Sequence, residues 1–226
     1  MLVTIDNVLN ADELMQMRGL LARAEWATGQ SAGTQARMAK NNLQIPEGSE
    51  ALRDLRVMVM RALNKSSRLI SAALPYKILP PNFNRYTGNT NSYGLHTDST
   101  LRYLPDGSAL RTDISATLFL SDQTDYEGGE LVIEDTYGVH RVKLSAGSLV
   151  LYPSGSMHLV APVTSGERVA CYMFMQSMVK DVECRRMLFQ MDESLIKLRQ
   201  EHGETNPELI RLTGLYNNLL RRWTDC

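Results

Sequence analysis

The stretch ISATLFLSDQTDYEGGELVIE (114–134) contains two short apolar runs, ISATLFL and ELVIE, around a polar connection that holds Gly128-Gly129. β-Branched and aromatic residues favour strands, and paired glycines favour tight turns. Three similar runs follow: HRVKL (140–144), GSLVLY (147–152) and RVACYMFMQ (168–176). Short strands without helical patterns between them predict an antiparallel sandwich or a double-stranded barrel rather than a parallel α/β sheet.

Helical patterns lie on both sides of these strands. Asn10 precedes DELMQMRGLLARAEW, with Glu13 at the third helical position, and Ser49 precedes the continuous helical pattern of residues 50–74. After the strands, residues 181–200 predict another helix, and Asn206-Pro207 is a start signal for a last one. We expect a support region over 1–76, a barrel core over 77–180 and a helical appendage over 181–226. The appendage serves packing or dimerisation, and the oligomeric state stays open.

Composition excludes several classes of partner. The 226 residues include 24 Lys and Arg against 25 Asp and Glu, so no global field draws the chain to nucleic acid. No apolar run approaches the ~18 residues that a membrane span needs, and no secretory signal opens the chain. The cysteines, at 171, 184 and 226, lack CxxC spacing, which fits reduced thiols in a cytoplasm.

Three residues form a candidate metal site. His96 and Asp98 are two positions apart, so an extended segment places both side chains on one face. His158 follows the predicted hairpins, and a double-stranded barrel would bring it to the same place. Two imidazoles and one carboxylate leave coordination positions open, as in non-haem iron(II) oxygenases. Zinc is the competing metal, although the sequence contains no HExxH helix to support it. The other two histidines are not expected to bind metal: His140 is predicted on the surface of a strand, and His202 in a turn.

Arg168 is the candidate anion-binding residue. It opens the last predicted strand, ten positions after His158. A guanidinium binds a carboxylate through two parallel hydrogen bonds, which suits the far carboxylate of a dicarboxylate cosubstrate. The alternative is a surface residue that follows the turn at Gly166.

The chain resembles the iron(II)- and 2-oxoglutarate-dependent dioxygenases, and within them the PKHD-type hydroxylases related to prolyl 4-hydroxylases. The resemblance covers most of the chain. It is carried by KNNLQI (40–45), NRYTGNTNSYGLHTDST (84–100), RTDISATLFLSDQTDYEGGELVIED (111–135), YGVHRVKLSAGSLVLYPSGSMHLVAPVTSGERVA (137–170) and FMQSMVKD (174–181).

The resemblance implies a mainly β, jelly-roll barrel with flanking N-terminal and C-terminal helices. It also implies Fe(II), with 2-oxoglutarate and O₂ as cosubstrates, succinate and CO₂ as coproducts, and L-ascorbate as an activator. Asp98 stands where halogenating relatives lack a ligand, so hydroxylation is expected. The substrate stays open between a peptidyl proline or lysine, an amino acid and a siderophore-like molecule.

Position by position, the resemblance gives His96, Asp98 and His158 as iron ligands and catalytic centre. Arg168 matches the residue for the cosubstrate carboxylate, and Tyr86 matches a tyrosine beside the cosubstrate.

One position departs from the pattern of the family. Phe119 stands where some relatives carry a tyrosine that hydrogen-bonds the distal carboxylate, and Thr117 is the hydroxyl expected to help Arg168 in its place. Strand alternation puts Ala170, Tyr172 and Phe174 on the face of Arg168, so we expect them to wall the pocket.

The segment LRYLPDGSALR (101–111) is long for a simple hairpin connection. On one reading it is a lid over the primary substrate, with Tyr103 in contact and Arg102 or Arg111 available for an anionic group. On the other reading its apolar residues pack under the rim of the barrel and its arginines are solvated.

Two rival functions follow from the same residues. One is a catalytically silent barrel that binds a metal or small molecule as a sensor, and the retained Arg168 argues against it. The other is a zinc hydrolase that uses the same three ligands. Metal analysis followed by a 2-oxoglutarate turnover assay separates them.

Overall fold

The computed structural model of the protein describes residues 1–29, 39–136 and 138–225. Its strands are β1 (Val3–Ile5), β2 (Ala27–Thr28), β3 (Lys40–Asn41), β4 (Leu43–Gln44), β5 (Pro75–Ile78), β6 (Asn82–Tyr86), β7 (Ser92–His96), β8 (Leu101–Tyr103), β9 (Ala109–Arg111), β10 (Ile114–Phe119), β11 (Tyr126–Gly128), β12 (Leu131–Asp135), β13 (Gly138–Val142), β14 (Leu149–Pro153), β15 (Met157–Val160), β16 (Val163–Gly166) and β17 (Arg168–Ser177). Its helices are α1 (Ala11–Arg23), α2 (Glu50–Lys65), α3 (Ser67–Ala73), α4 (Val182–His202) and α5 (Pro207–Trp223).

Two antiparallel sheets form the body of the protein. The larger has the order β1-β14-β10-β17-β6-β4-β2, with β5 also paired to β17. The smaller has the order β13-β12-β15-β7-β3, and β11–β16 and β8–β9 form separate pairs. The jelly-roll prediction is confirmed as two sheets; among the described residues their ladders do not join into one closed barrel.

Both faces of the larger sheet are covered, which explains why β10 is apolar without strict alternation. Ile114 and Leu118 lie in a core cluster with the buried faces of the N-terminal helices, including Leu55 of α2. Phe119 belongs to a second cluster that also contains residues of the smaller sheet, among them Ile133 of β12. The second cluster therefore lies between the two sheets, and the helices cover the outer face of the larger one.

The helix starts predicted from the sequence are confirmed. The Asn10 side chain accepts from the Glu13 backbone N–H and the Glu13 side chain accepts in return, which completes a capping box. Ser49 caps α2, and Asn206 with Pro207 opens α5.

The single helix predicted over residues 50–74 is wrong, because the chain breaks at Ser66. This residue has an extended backbone (φ −84°, ψ 93°), ends α2 and caps α3 by accepting from the Leu69 N–H. Serine competes in this way with helix continuation.

The segment 101–111 is a β-hairpin rather than an irregular loop. Leu101 pairs with Arg111, and Tyr103 pairs with Ala109. The turn residues Asp106 and Gly107 close it, since the Asp106 carboxylate accepts from the Ser108 N–H.

The C-terminal helices pack on the body through a third cluster. Leu74, Val179 and Leu188 are its buried members, and side chains of α5 such as Trp223 pack against them. None of the described helices is both long and apolar enough to cross a bilayer. Cys171 and Cys184 are free thiols, whereas Cys226 lies outside the described residues.

Candidate active site

A cavity opens between the two sheets and contains most of the residues singled out in the sequence. The empty space within it is about 800 Å³, a volume that includes the part open to solvent. Its walls include His96, Asp98, His158, Arg168, Tyr86, Thr117, Phe174, Tyr172 and Arg102.

The three candidate metal ligands meet on one wall of this cavity. His96 ends β7 and is the direct cross-strand partner of His158 on β15, so the ladder itself puts the two rings side by side. Asp98 follows β7, and its backbone N–H donates to the Ser154 carbonyl. One ligand atom from each of the three residues lies within 4.8 Å of the others. Nε2 of His158 is 3.5 Å from Oδ2 of Asp98, and Nε2 of His96 is 4.0 Å from Oδ1.

Both imidazoles are oriented by backbone carbonyls. Nδ1 of His96 lies 2.7 Å from the Gly94 oxygen, and Nδ1 of His158 lies 2.9 Å from the Ser156 oxygen. Because a carbonyl only accepts, Nδ1 carries the proton in each ring and Nε2 keeps its lone pair for a metal. Burial lowers the pKa of His96, and the neighbouring His158 adds to this effect, which favours the neutral form that ligates.

The Asp98 carboxylate is held by the opposite sheet. The Ser115 hydroxyl on β10 donates to Oδ2 of Asp98 at 2.6 Å, and the Ser154 hydroxyl lies 2.7 Å from that of Ser115. Tyr93 stacks on His96 with ring centroids 3.8 Å apart. The donor set and its fixed orientation fit one divalent metal ion with positions left for other ligands.

Arg168 occupies the other end of the cavity and is almost fully buried, with 1% of its surface exposed. Its guanidinium lies 5.3 Å from the Tyr86 ring and 5.2 Å from the Phe119 ring. None of Nε, Nη1 and Nη2 forms a hydrogen bond with any residue that the structure describes. An unpaired buried charge costs several kcal/mol, so these donors are arranged for an anion that enters the cavity.

Of the residues expected around Arg168, Tyr86, Thr117, Tyr172 and Phe174 line the cavity, whereas Ala170 does not. The Tyr86 hydroxyl accepts from Asn42 at 3.0 Å, and burial raises its pKa, which keeps the phenol neutral. Thr117 lines the cavity, as does the buried Tyr152, whose pKa is raised by burial. Phe174 lines the cavity beneath the Arg102 guanidinium, which is 4.9 Å from its ring.

The three candidate substrate residues are placed differently from one another. Arg102 points into the cavity, and Tyr103, next along β8, points outward with 69% of its surface exposed. Arg111 binds Asp113 through two contacts of 2.7 and 3.0 Å and is not part of the cavity wall.

The other two histidines lie away from the cluster. His140 is exposed on β13 and contacts Asp135, while His202 is exposed at the end of α4.

Three residues near the site were not singled out by the sequence reasoning. Lys40 and Tyr93 line the cavity, and the buried Tyr126 hydroxyl lies beside the Arg168 guanidinium. Lys40 on β3 and Tyr126 on β11 come from other segments of the chain, whereas Tyr93 lies on β7, three residues before His96. The KNNLQI match was the only sequence signal for Lys40.

The chain is similar to known proteins over its whole length. Residues 81–176 match the 2OG-Fe(II) oxygenase superfamily, and residues 183–225 match the PKHD-type hydroxylase C-terminal domain. A PKHD-type hydroxylase from Nitrosomonas europaea is 56% identical over 227 residues, and one from Azoarcus sp. is 55% identical over 226, each covering 100% of both chains. The chain belongs to the PKHD-type hydroxylase family.

Solved structures similar to this PKHD-type hydroxylase agree on the fold. A prolyl-4-hydroxylase from Pseudomonas putida has a TM-score of 0.50 at 22% identity, covering 78% of this chain and 92% of that one. A prolyl hydroxylase from Trichoplax adhaerens, in complex with a hypoxia inducible factor peptide fragment, has a TM-score of 0.53 at 18% identity over 83% and 86%. At such identities the likeness concerns the jelly-roll architecture.

Family membership gives the reaction class of the PKHD-type hydroxylase. It is an oxidoreductase, a 2-oxoglutarate-dependent dioxygenase that uses iron(II) and O₂ to hydroxylate a substrate.

Proposed function

We propose that His96, Asp98 and His158 hold the iron of this hydroxylase and that Arg168 binds the far carboxylate of 2-oxoglutarate. The observation that carries the proposal is the buried Arg168 guanidinium, whose three nitrogens form no hydrogen bond within the described structure, in the same cavity as the three ligands. The substrate is a small molecule or a peptide. When bound, the iron supplies the redox chemistry that couples decarboxylation of 2-oxoglutarate to hydroxylation, with succinate and CO₂ as coproducts.

The protein's own part is to hold groups in place. The Gly94 and Ser156 carbonyls accept from the imidazole Nδ1–H groups and so fix the direction of each Nε2. Ser115 donates to Oδ2 of Asp98 and so helps to fix the plane of the carboxylate. Rigid support of this kind keeps a ligand set open on the side that faces the cosubstrate and substrate.

Arg168 and its aromatic neighbours orient the cosubstrate. Two parallel N–H donors set both the position and the plane of the far carboxylate. The Tyr86 and Phe119 rings exclude water from this end of the cavity, which strengthens the charge-assisted contact.

The remaining parts of the proposal concern the whole chain. We divide it into a support region over 1–76, the oxygenase core over 77–180 and the helical appendage over 181–226, and the family matches at 81–176 and 183–225 support this. Ascorbate as activator, a cytoplasmic location, the absence of a nucleic-acid partner and a dimer through α4 and α5 stay predictions.

The proposal is tested on protein purified under anaerobic, reducing conditions. Metal analysis should give one iron per chain, and addition of O₂ with 2-oxoglutarate should release succinate. Stoichiometric zinc without succinate formation would favour the hydrolase. Iron with 2-oxoglutarate bound, yet no succinate with any cellular fraction, would favour the sensor.

Ser115 gives a prediction about positioning. Ser115→Ala should weaken iron affinity roughly ten- to hundredfold, as expected when an outer-shell partner of a ligand is lost. Anaerobic iron titration against a competing chelator measures this. Ser121→Ala is the control, because its hydroxyl accepts from the Val169 N–H and the residue does not line the cavity. Equal iron affinities in the two variants would remove Ser115 from the site.

Tyr126 gives a second prediction: its hydroxyl could replace that of the tyrosine which some relatives carry at the position of Phe119. Its hydroxyl is buried beside Arg168 without a completed hydrogen bond in the described structure. We expect it to donate to the same carboxylate as Arg168. Tyr126→Phe should then weaken 2-oxoglutarate binding roughly tenfold or more, the value of one hydrogen bond to a charged group. Anaerobic titration checks this, with the exposed Tyr103→Phe as control; an unchanged Kd would assign Tyr126 to packing.

A further inference from the structure

Two cationic side chains besides Arg168 line the cavity. Lys40 of β3 lies 5.7 Å from the Tyr93 ring and 5.9 Å from the Tyr172 ring. Arg102 of β8 lies over Phe174. The proposed function does not use either residue to hold the metal or the far carboxylate of 2-oxoglutarate. The two cations could therefore bind another anion.

The charges of the cavity wall do not balance without an additional anion. Among the described residues, the wall carries the cations Lys40, Arg102 and Arg168 and the single acid Asp98. The residues outside the description, 30–38, 137 and 226, contain no Asp or Glu. An iron(II) ion and a doubly negative 2-oxoglutarate cancel each other, and Asp98 cancels one of the three cations. About two positive charges remain in a half-buried space.

The cosubstrate leaves this surplus uncompensated. Its far carboxylate is assigned to Arg168, beside Tyr86 and Phe119, and its two negative charges are already counted against the iron. Arg102 lies over Phe174, six residues further along β17, at the metal end of the cavity.

Arg102 is placed to bind at the triad end of the cavity. Phe174 pairs across the ladder with Ser115, the residue that holds Asp98, so Arg102 is level with the metal ligands. Its Nε is buried and forms no hydrogen bond with any described residue. Burial lowers the pKa of Lys40 to about 8, and the positive charge of Arg102 adds to this effect. An anion bound between the two side chains would be attracted by both charges.

We propose that Lys40 and Arg102 bind an anionic group of the primary substrate, a carboxylate or a phosphate, beside the metal site. The inference rests on the proposed function and narrows the class of primary substrate to molecules that carry an anionic group. The same two charges repel a protonated amine, so a peptidyl lysine is disfavoured as the substrate.

The first test is equilibrium binding to the anaerobic enzyme loaded with iron(II) and saturating 2-oxoglutarate, so that Arg168 is already occupied. The probes are N-acetylglycine and its uncharged amide, N-acetylglycinamide, which differ little except in charge. Wild type should bind the acid roughly tenfold more tightly than the amide, and Arg102→Gln and Lys40→Gln should each lose most of that preference. Methyl phosphate as a third probe separates a phosphate group from a carboxylate.

The control is Arg141→Gln, which removes the same charge from an exposed position on β13. It should keep the wild-type preference. Equal binding of acid and amide by wild type, or equal loss in the Arg141 variant, would overturn the proposal. Iron content and 2-oxoglutarate affinity are measured in every variant. A wild type without iron would point to the proposed function as the failure, and a loss of 2-oxoglutarate affinity in the Arg102 variant would assign that residue to the cosubstrate.

The second test needs no chosen probe. A cell extract is separated by anion exchange, and each fraction is incubated with enzyme, 2-oxoglutarate and O₂ and searched by mass spectrometry for a product heavier by one oxygen. The product should arise from the anion-binding fractions. A product that arises from the neutral or cationic flow-through would overturn the inference.

Discussion

Replacing Asp98 with alanine should remove most of the iron from the protein while far-ultraviolet circular dichroism stays close to that of the wild type. Asp98 is the only carboxylate in the cluster, and it lies between the two Nε2 atoms at 3.5 and 4.0 Å. Loss of an outer-shell partner costs ten- to hundredfold in metal affinity, so loss of the ligand should cost more. His96→Ala and His158→Ala should behave alike. Iron content after anaerobic loading and desalting is the measurement.

His140→Ala is the matched control, because His140 is an exposed histidine of the same sheet whose partner is Asp135. It should retain the full iron content and the full rate of succinate formation. If all three ligand variants kept stoichiometric iron, the metal would have to bind elsewhere. A parallel fall in iron and in circular dichroism would instead mean that the cluster serves folding.

Only part of the His-Asp-His cluster follows a short-range rule. Two-residue spacing puts His96 and Asp98 on one face of an extended segment, whereas His158 joins them only when its strand pairs with β7. The structure supplies that partner as a direct cross-strand pair. The helix starts could be predicted for the same reason as the His96–Asp98 pair: a cap such as Asn10 acts on residues within four positions of it.

Other features depend on contacts between distant segments, and the sequence left them undetermined. Read alone, Arg168 after the Gly166 turn is compatible with a surface residue, whereas the fold buries it under two aromatic rings. Arg102 and Arg111 were equivalent candidates in the sequence. Hairpin pairing turns Arg102 toward the cavity, and Asp113 holds Arg111 away from it.

The second large effect is expected on 2-oxoglutarate affinity when Arg168 is replaced. Arg168→Met should keep the iron and bind 2-oxoglutarate roughly ten- to hundredfold more weakly, because a charge-assisted contact is worth about 1.5–3 kcal/mol. Arg168→Lys should recover only part of the affinity, since an ammonium group does not offer two parallel donors. Anaerobic titration of 2-oxoglutarate into iron-loaded protein measures both.

The thermal stability of the same variant separates binding from structure. Without 2-oxoglutarate, the wild-type guanidinium is buried and unpaired within the described structure, and methionine fills similar space without that desolvation cost. Arg168→Met should therefore have a Tm equal to or above that of the wild type. Added 2-oxoglutarate at 100 times its wild-type Kd should stabilise the wild type by about 2.7 kcal/mol and the variant by far less. A variant that melts lower without 2-oxoglutarate and gains as much from it as the wild type would show that Arg168 supports the fold rather than the cosubstrate.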